Sequence, residues 1–547
     1  MTINQKMQNA VTAIRQQQFS HAILLLNDVL SSEPNQLQAR WLLLQAYESL
    51  GQTDAALEQL KLMLQQVSHD LAAIDQLAAH TLKRGYPLKP VLLAFSSHLA
   101  RQPGSANGHF NYAWHLAKDG QFEAAISRYQ QALQSGISSP EEVHLNIANI
   151  YTDQLHSNNK AKAHLEQALK LNPRYSNAYF NLGNLSEQNG QRSEAKRLFE
   201  QCLEIDPNNQ LALARLADAH RFTDAQDPLM LRLQALATNS KDSDLHYALA
   251  RAYEQLEEFE QAWAHFAKAN QIDAQAFPAY DKKRTEAFFK QIEEQCTAQW
   301  MAAHAGKSHE NVFISGMFRT GSTLLEQMLA AHPHFYPGGE SEFFPRLVAR
   351  HFSHYPNGLD AISKAQLLAW KKQQRQQSSQ QAAGNRRLTD KRPDNFLYLG
   401  LIKAVMPSAR FVITERDWRD VATSVFCTRL GPQQNYATSL ADIRHYLGLQ
   451  QALIEHWAKL FGTDMLRLRY EDLIADPQTT MTQLLEGLGE KWDERCLDFD
   501  QLTNTVKTAS VWQVREPLHS RSIGRWNNYA APFTDAFGSE VHRQTKA

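Results

Sequence analysis

The residues best suited to chemistry lie between positions 311 and 329. A short apolar run, Asn311-Val312-Phe313-Ile314-Ser315, is followed at once by Gly316-Met317-Phe318-Arg319-Thr320-Gly321-Ser322-Thr323, then by Leu324-Leu325-Glu326-Gln327-Met328-Leu329. The run reads as a buried parallel strand and the last stretch as an amphipathic helix. A glycine-bounded loop between them lets backbone N–H groups wrap an anion, and the start of the helix points further N–H groups at it. Ser322 and Thr323 add hydroxyl donors, and Arg319 places a cation inside the loop. In the loop that holds nucleoside triphosphates, a Lys follows the last Gly and the next hydroxyl holds magnesium. Here Ser322 stands where that Lys would be. The loop therefore suits an anionic 5′ end without implying a γ-phosphate or an obligatory metal.

Five further stretches carry polar groups in suggestive places. Arg410-Phe411-Val412-Ile413-Thr414-Glu415-Arg416 reads as another strand, and Asp417-Trp418-Arg419-Asp420-Val421-Ala422-Thr423-Ser424 opens a helix. Arg416 offers a guanidinium fork and Ser424, eight residues on, a hydroxyl, both of them groups that bind phosphate oxygens; the alternative is a helix cap with solvent-facing charge. His332-Pro333 is followed by Gly338-Gly339-Glu340 and Phe343-Phe344-Pro345-Arg346, and later by Thr389-Asp390-Lys391-Arg392-Pro393-Asp394-Asn395-Phe396. Met465 to Leu473 reads as a strand and turn around Tyr470, and Ser520-Arg521-Ser522-Ile523-Gly524-Arg525-Trp526 stands near the end.

Taken together, residues 309–530 resemble sulfotransferases that use 3′-phosphoadenosine 5′-phosphosulfate (PAPS), nearest the branch of tyrosylprotein sulfotransferases and their bacterial relatives. The resemblance implies that Arg319, Thr320, Gly321, Ser322 and Thr323 hold the 5′-phosphosulfate, while Arg416 and Ser424 hold the 3′-phosphate. It implies a nucleotide contact for Tyr470 and a final segment folding over the nucleotide through Ser522 and Arg525, although the Arg-Lys-Gly start of cytosolic members is missing. Glu340, 21 residues after Arg319, inherits the role of general base, with Glu342, His332 and His334 as competitors. Lys391 stabilises charge on the leaving bridging oxygen together with Arg319, and Arg392 is the alternative cation. Arg346, Arg386 and Arg387 either attract an acidic acceptor or form a solvated face. Adenosine 3′,5′-bisphosphate is the implied product, and the implied site has no metal.

These groups need a scaffold, and upstream of them the chain is repetitive. Asn172-Pro173 and Asp206-Pro207 close two helical stretches 34 residues apart, with Tyr179, Leu182, Gly183, Gly190, Ala195, Phe199 and Cys202 in order between them. The pattern recurs around Trp41, Trp114 and Leu249 and resembles the tetratricopeptide repeat. About seven units are expected, with those near 71–104 and 211–240 degenerate. Asn111, Asn146 and Asn181 fall at equivalent places, either as a ladder holding an extended peptide backbone or as locally bonded amides. The fold expectation is an α-solenoid of tetratricopeptide repeats over 1–275, a helical connector over 276–308, an α/β P-loop-like sulfotransferase domain with a central parallel sheet over 309–535, and a tail over 536–547. Residues 371–387, polar and rich in Gln, read as a mobile insertion, a lid or a helix end.

Composition narrows the partners. The 547 residues carry 56 basic and 57 acidic side chains, a net charge of −1, which argues against bulk binding of nucleic acid or membrane. No run long enough to span a bilayer occurs, no signal-like apolar core opens the chain, and four cysteines form no CxxC pair. A reducing, cytoplasmic setting is expected, with a peptide or protein acceptor reached through the repeats. The open alternatives are a glycan or small-molecule hydroxyl as acceptor, a repeat scaffold with a degenerate nucleotide domain, and a nucleotide kinase.

Overall fold

The computed structural model describes residues 1–547 other than 156, 307, 309, 382–385, 509, 539–540 and 542–547. It forms two compact units, Met1–Leu185 and Ser186–Ala547. In the first, helices pair in sequence: Ile3–Arg15 with Phe19–Ser32, Leu37–Ser49 with Thr53–Gln66, and Ala106–Lys118 with Phe122–Gln134. The small residues of the repeat pattern sit where helices cross, so Ala10, Ala22, Ala39, Ala56 and Ala125 are wholly buried. The degenerate stretch near 71–104 folds the same way, as Leu71–Arg84 and Lys89–Arg101.

The second unit begins with more repeat helices, ending in Ser243–Gln255 and Phe259–Ala276. Their far face is not solvent. Tyr247, Ala250, Phe266 and Ala269 share one core with Trp418, Val421, Val425, Tyr529 and Phe533. Trp263 stacks on Phe426 at 4.7 Å, and Asn270 Nδ2 donates to the Phe426 carbonyl at 2.8 Å. The repeat helices thus end at Ala276, but the compact units part earlier, between residues 185 and 186. The stretch expected to connect contains the helices Lys282–Gln295 and Ala298–Ala303, and its Lys307 lies outside the described residues. So does most of the expected tail from 539 onward.

Five parallel strands follow: β1 Val312–Gly316, β2 Phe335–Pro337, β3 Arg387–Lys391, β4 Arg410–Glu415 and β5 Met465–Arg469, in the order β2-β3-β1-β4-β5. β1 is buried along its whole length, as a sheet covered on both faces requires. Phe313, Phe411 and Ile413 pack on one side with Trp457 and Phe461, while Val312, Ile314 and Val412 pack on the other with Leu325 and Met328. The connection after β1 runs to one side of the sheet and that after β3 to the other, which opens a crevice at their carboxyl ends. Much of the stretch 371–387 is regular: the helix Lys364–Gln381 anchors Trp370 in the core, and residues 382–385 lie outside the described residues.

Candidate active site

β1 delivers the glycine-bounded loop to that crevice. A Cβ on Gly316 would lie 2.5 Å from the Thr414 carbonyl, so only glycine lets β1 and β4 close here. Gly321 turns left-handed at φ +92°, and a Cβ there would meet Tyr470 Cδ2 at 2.6 Å. Arg319 also stands at φ +72°, which costs a non-glycine residue about 1–2 kcal/mol. The helix Ser322–Ala331 then starts from Gly321 with no side-chain cap, so its first-turn N–H groups keep no partner within the helix.

Two guanidinium groups converge on the loop. Arg319 Nε donates to Ser424 Oγ at 2.9 Å, its Nη2 donates to Gln513 Oε1 at 2.9 Å, and its Nη1 donates to Ser510 Oγ. Arg416 Nη1 donates to the Arg319 carbonyl at 3.0 Å and its Nη2 to the Ser522 carbonyl. Its guanidinium lies 4.7 Å over the Tyr470 ring, and its Nε is buried without a hydrogen-bond partner. Burial, with Arg416 and Arg525 nearby, pushes Arg319 down to about 10. Burial lowers Arg416 too. An unbonded buried donor and a stressed cation beside free helix N–H groups fit an anionic donor group.

Some expected donor residues are placed otherwise. Thr320 Oγ1 bonds Thr414 Oγ1 at 2.7 Å and donates to the Met317 carbonyl at 2.7 Å, so it staples the loop to β4. Ser424 meets Arg319 and not Arg416 in these hydrogen bonds. Ser522 offers its carbonyl to Arg416. Arg525, expected on the nucleotide, instead forms a two-pronged pair with Glu254 at 2.6 and 2.7 Å. Glu471, just after β5, accepts from the Asp417 N–H at 2.8 Å and so braces the start of the helix Trp418–Phe426.

Across the crevice, β3 delivers Lys391, only 1% exposed, whose Nζ donates to Glu340 Oε1 at 2.5 Å. The loop bearing Glu340 continues the β2–β3 pairing: Gly338 N–H donates to the Thr389 carbonyl at 3.0 Å and Lys391 N–H to the Gly339 carbonyl at 2.8 Å. A Cβ on Gly338 would come within 2.3 Å of the Thr389 carbonyl, and Gly339 turns left-handed at φ +65°, which together explain the double glycine. The competitors pair with each other, since Arg392 donates to Glu342 and, at 2.6 Å, to Asp394. His332 Nε2 bonds the Lys491 carbonyl and His334 Nδ1 bonds Glu490, so both histidines engage the 490 segment.

Two acids that motif reading passed over sit beneath the Lys391–Glu340 pair. Glu326 Oε1 accepts from the Gly339 N–H and from Thr389 Oγ1, each at 3.0 Å. Burial outweighs Lys391 and these bonds and pushes Glu326 up to about 6. Burial likewise pushes Asp390 up to about 7, against a hydrogen bond from Asn395. A signal for Glu326 was present: an acid inside the mostly apolar Leu324–Leu329 stretch. No local pattern marks Ser510 or Gln513.

Of the expected acceptor contacts, Arg346 is exposed on the helix Phe343–His351. Asn146 and Asn181 each donate to the carbonyl four residues back, while Asn111 donates to Asp75 on the helix Leu71–Arg84, so all three amides are bonded within the repeats.

Residues 311–494 match the sulfotransferase family, and residues 7–70, 141–175, 176–209 and 243–275 match tetratricopeptide repeats. The chain carries tetratricopeptide repeats and a C-terminal sulfotransferase domain. It is 27% identical over 359 residues to an uncharacterized protein of Aquifex aeolicus (strain VF5), covering 62% of this chain and 47% of that one. It is 23% identical over 242 residues to protein-tyrosine sulfotransferase A of Caenorhabditis elegans, covering 39% of this chain and 60% of that one. The chain thus spans about half to two thirds of these relatives' lengths. Among solved structures, the sulfotransferase domain of the Synechococcus PCC 7002 olefin synthase is 22% identical at a TM-score of 0.28, covering 41% of this chain and 95% of that one. No helix among the described residues is long and apolar enough to cross a membrane.

Proposed function

We propose that the sulfotransferase domain moves a sulfuryl group from PAPS to a hydroxyl, and that the acceptor is a tyrosine in a peptide or protein recruited by the repeats. The observation that carries this reading is the convergence of Arg319 and Arg416, with an unbonded buried Nε, on the glycine-bounded loop opposite the Lys391–Glu340 pair. Arg319 and the first-turn N–H groups of Ser322–Ala331 bind the 5′ anion, Arg416 binds the 3′-phosphate, and Tyr470 packs beside the loop. When bound, the donor supplies an activated sulfuryl group. Glu340 takes the acceptor's proton, and a phenol of pKa about 10 suits proton removal during transfer by a positioned carboxylate. Lys391 holds Glu340 and neutralises charge developing beside it. The tyrosine assignment draws on the named relatives, and the repeats supply helical surface of the kind that holds peptides.

Calorimetry with adenosine 3′,5′-bisphosphate against ATP tests the donor reading. Bisphosphate binding well above that of ATP is expected; tight ATP binding with none for the bisphosphate overturns it. Labelled-sulfate transfer to tyrosine peptides, oligosaccharides and small phenols then tests the acceptor, and label confined to the last two would move the acceptor class away from peptide.

A further inference from the structure

We propose that Glu254, a side chain of the last repeat, is a positioning residue of the donor site. The inference rests on the donor reading above. The segment from Asn504 to Trp526 crosses the loop cations: Ser510 and Gln513 meet Arg319, Thr508 meets Thr323 at 3.4 Å, and the Ser522 carbonyl meets Arg416. On its other flank the same segment is gripped by repeat residues of the same compact unit. Val506 N–H donates to the Gln188 carbonyl at 2.9 Å, Thr505 Oγ1 donates to Asn189 at 3.1 Å, and Arg192 lies 4.8 Å over the Trp512 ring.

The strongest grip is at Arg525. Its Nε and Nη2 donate to the two Glu254 oxygens, and Tyr529 Oη donates to Glu254 at 3.0 Å. The neighbouring backbone is tied down at Asp420, which accepts from the Gly524 N–H at 2.7 Å and the Trp526 N–H at 3.0 Å. Burial works against the Arg525 charge, and Glu254 more than compensates. Without that carboxylate, the buried Arg525 would lose its ionic partner beside Arg319 and Arg416, both of whose charges it already opposes. Repulsion would move Arg525 and, three residues away, the Ser522 carbonyl that orients Arg416. Glu254 therefore acts through Arg525 on the geometry of Arg416, and the last repeat is a structural component of the nucleotide site.

The test is calorimetry of adenosine 3′,5′-bisphosphate with the full chain, with melting curves recorded for each variant. Glu254→Gln and Arg525→Met are each expected to weaken binding about tenfold, the scale of one charge-assisted bond. The double variant should lose no more than either single one. Asp244→Asn, which cuts a separate ion pair to Arg429 from the same helix, should lower the melting point without changing affinity. Unchanged affinity in Glu254→Gln overturns the proposal. So does a much larger loss in Arg525→Met than in Glu254→Gln, since Arg525 would then touch the ligand directly. If Glu254→Gln does not fold, Glu254→Asp, which keeps the charge and shortens the reach, carries the same comparison. Absence of bisphosphate binding in the wild type would instead sink the donor reading, and this assignment with it.

Discussion

On the donor side of the crevice, Arg319 and Arg416 are hydrogen-bonded to hydroxyls, an amide and carbonyls. On the transfer side, Lys391 and Arg392 each meet carboxylates, at Glu340 and at Glu342 with Asp394, and two further acids lie buried beneath. Positive charge is therefore in excess at one end of β1 and negative charge around the end of β3. In the first arrangement burial and like charge depress Arg319, and a bound anion would relieve both. The second pairs each of its cations with carboxylates and so holds its groups in fixed places without a ligand. A binding end and a proton-handling end need these opposite balances.

The largest effect expected of that division is on transfer by Glu340→Gln. The substitution keeps the shape and an acceptor for Lys391 but cannot take a proton. Labelled-sulfate transfer should fall by about 10²–10⁴-fold, while bisphosphate affinity stays within roughly threefold, since no donor contact is lost. A parallel loss of affinity would show that the two ends are one electrostatic unit. Undiminished transfer would remove Glu340 from the mechanism.

Arg416→Ala should do the reverse on a smaller scale. Losing a bidentate cation from a phosphate site costs on the order of 100-fold in bisphosphate affinity. The wild type should also lose affinity as salt rises, and the variant less steeply. Equal affinities in Arg416→Ala and wild type would mean that the excess positive charge serves the fold alone.

The two ends also differ in how far they could be read in the sequence. The loop from Gly316 to Thr323 and the pairing of Arg416 with its helix lie within runs of about ten residues, where glycine, hydroxyl and cation spacing is set by local backbone geometry. Glu340 and Lys391 are 51 residues apart and were legible only through resemblance, because nothing local joins them. Their support at Glu326 is a three-way junction between a helix, a loop and a strand, which no spacing announces. Arg525 illustrates the limit. Its segment was recognisable, yet its partner Glu254 lies 271 residues away in the repeats. The repeats hid this because Tyr247, Trp263 and Phe266 look like ordinary repeat core, whereas they also pack on the sulfotransferase domain. Periodicity reports that a face is buried, but not against what.

The smallest effect tests whether negative charge is truly in excess at the transfer end. Burial raises Asp390 from 3.8 to about 7, so the folded chain holds that proton more tightly than the unfolded one. Its contribution to stability is therefore complete below the unfolded value, declines as pH rises, and is lost above about pH 7. An amide resembles the protonated acid and can still accept from Asn395. Asp390→Asn should thus melt close to wild type at pH 4 and above it at pH 8, by roughly 1–2 °C per kcal/mol recovered in a unit of this size. A variant uniformly less stable at both pH values would mean that Asp390 is ionised and favourable in the fold. The local cations would then outweigh the acids, and the contrast between the two ends would reduce to a difference in geometry.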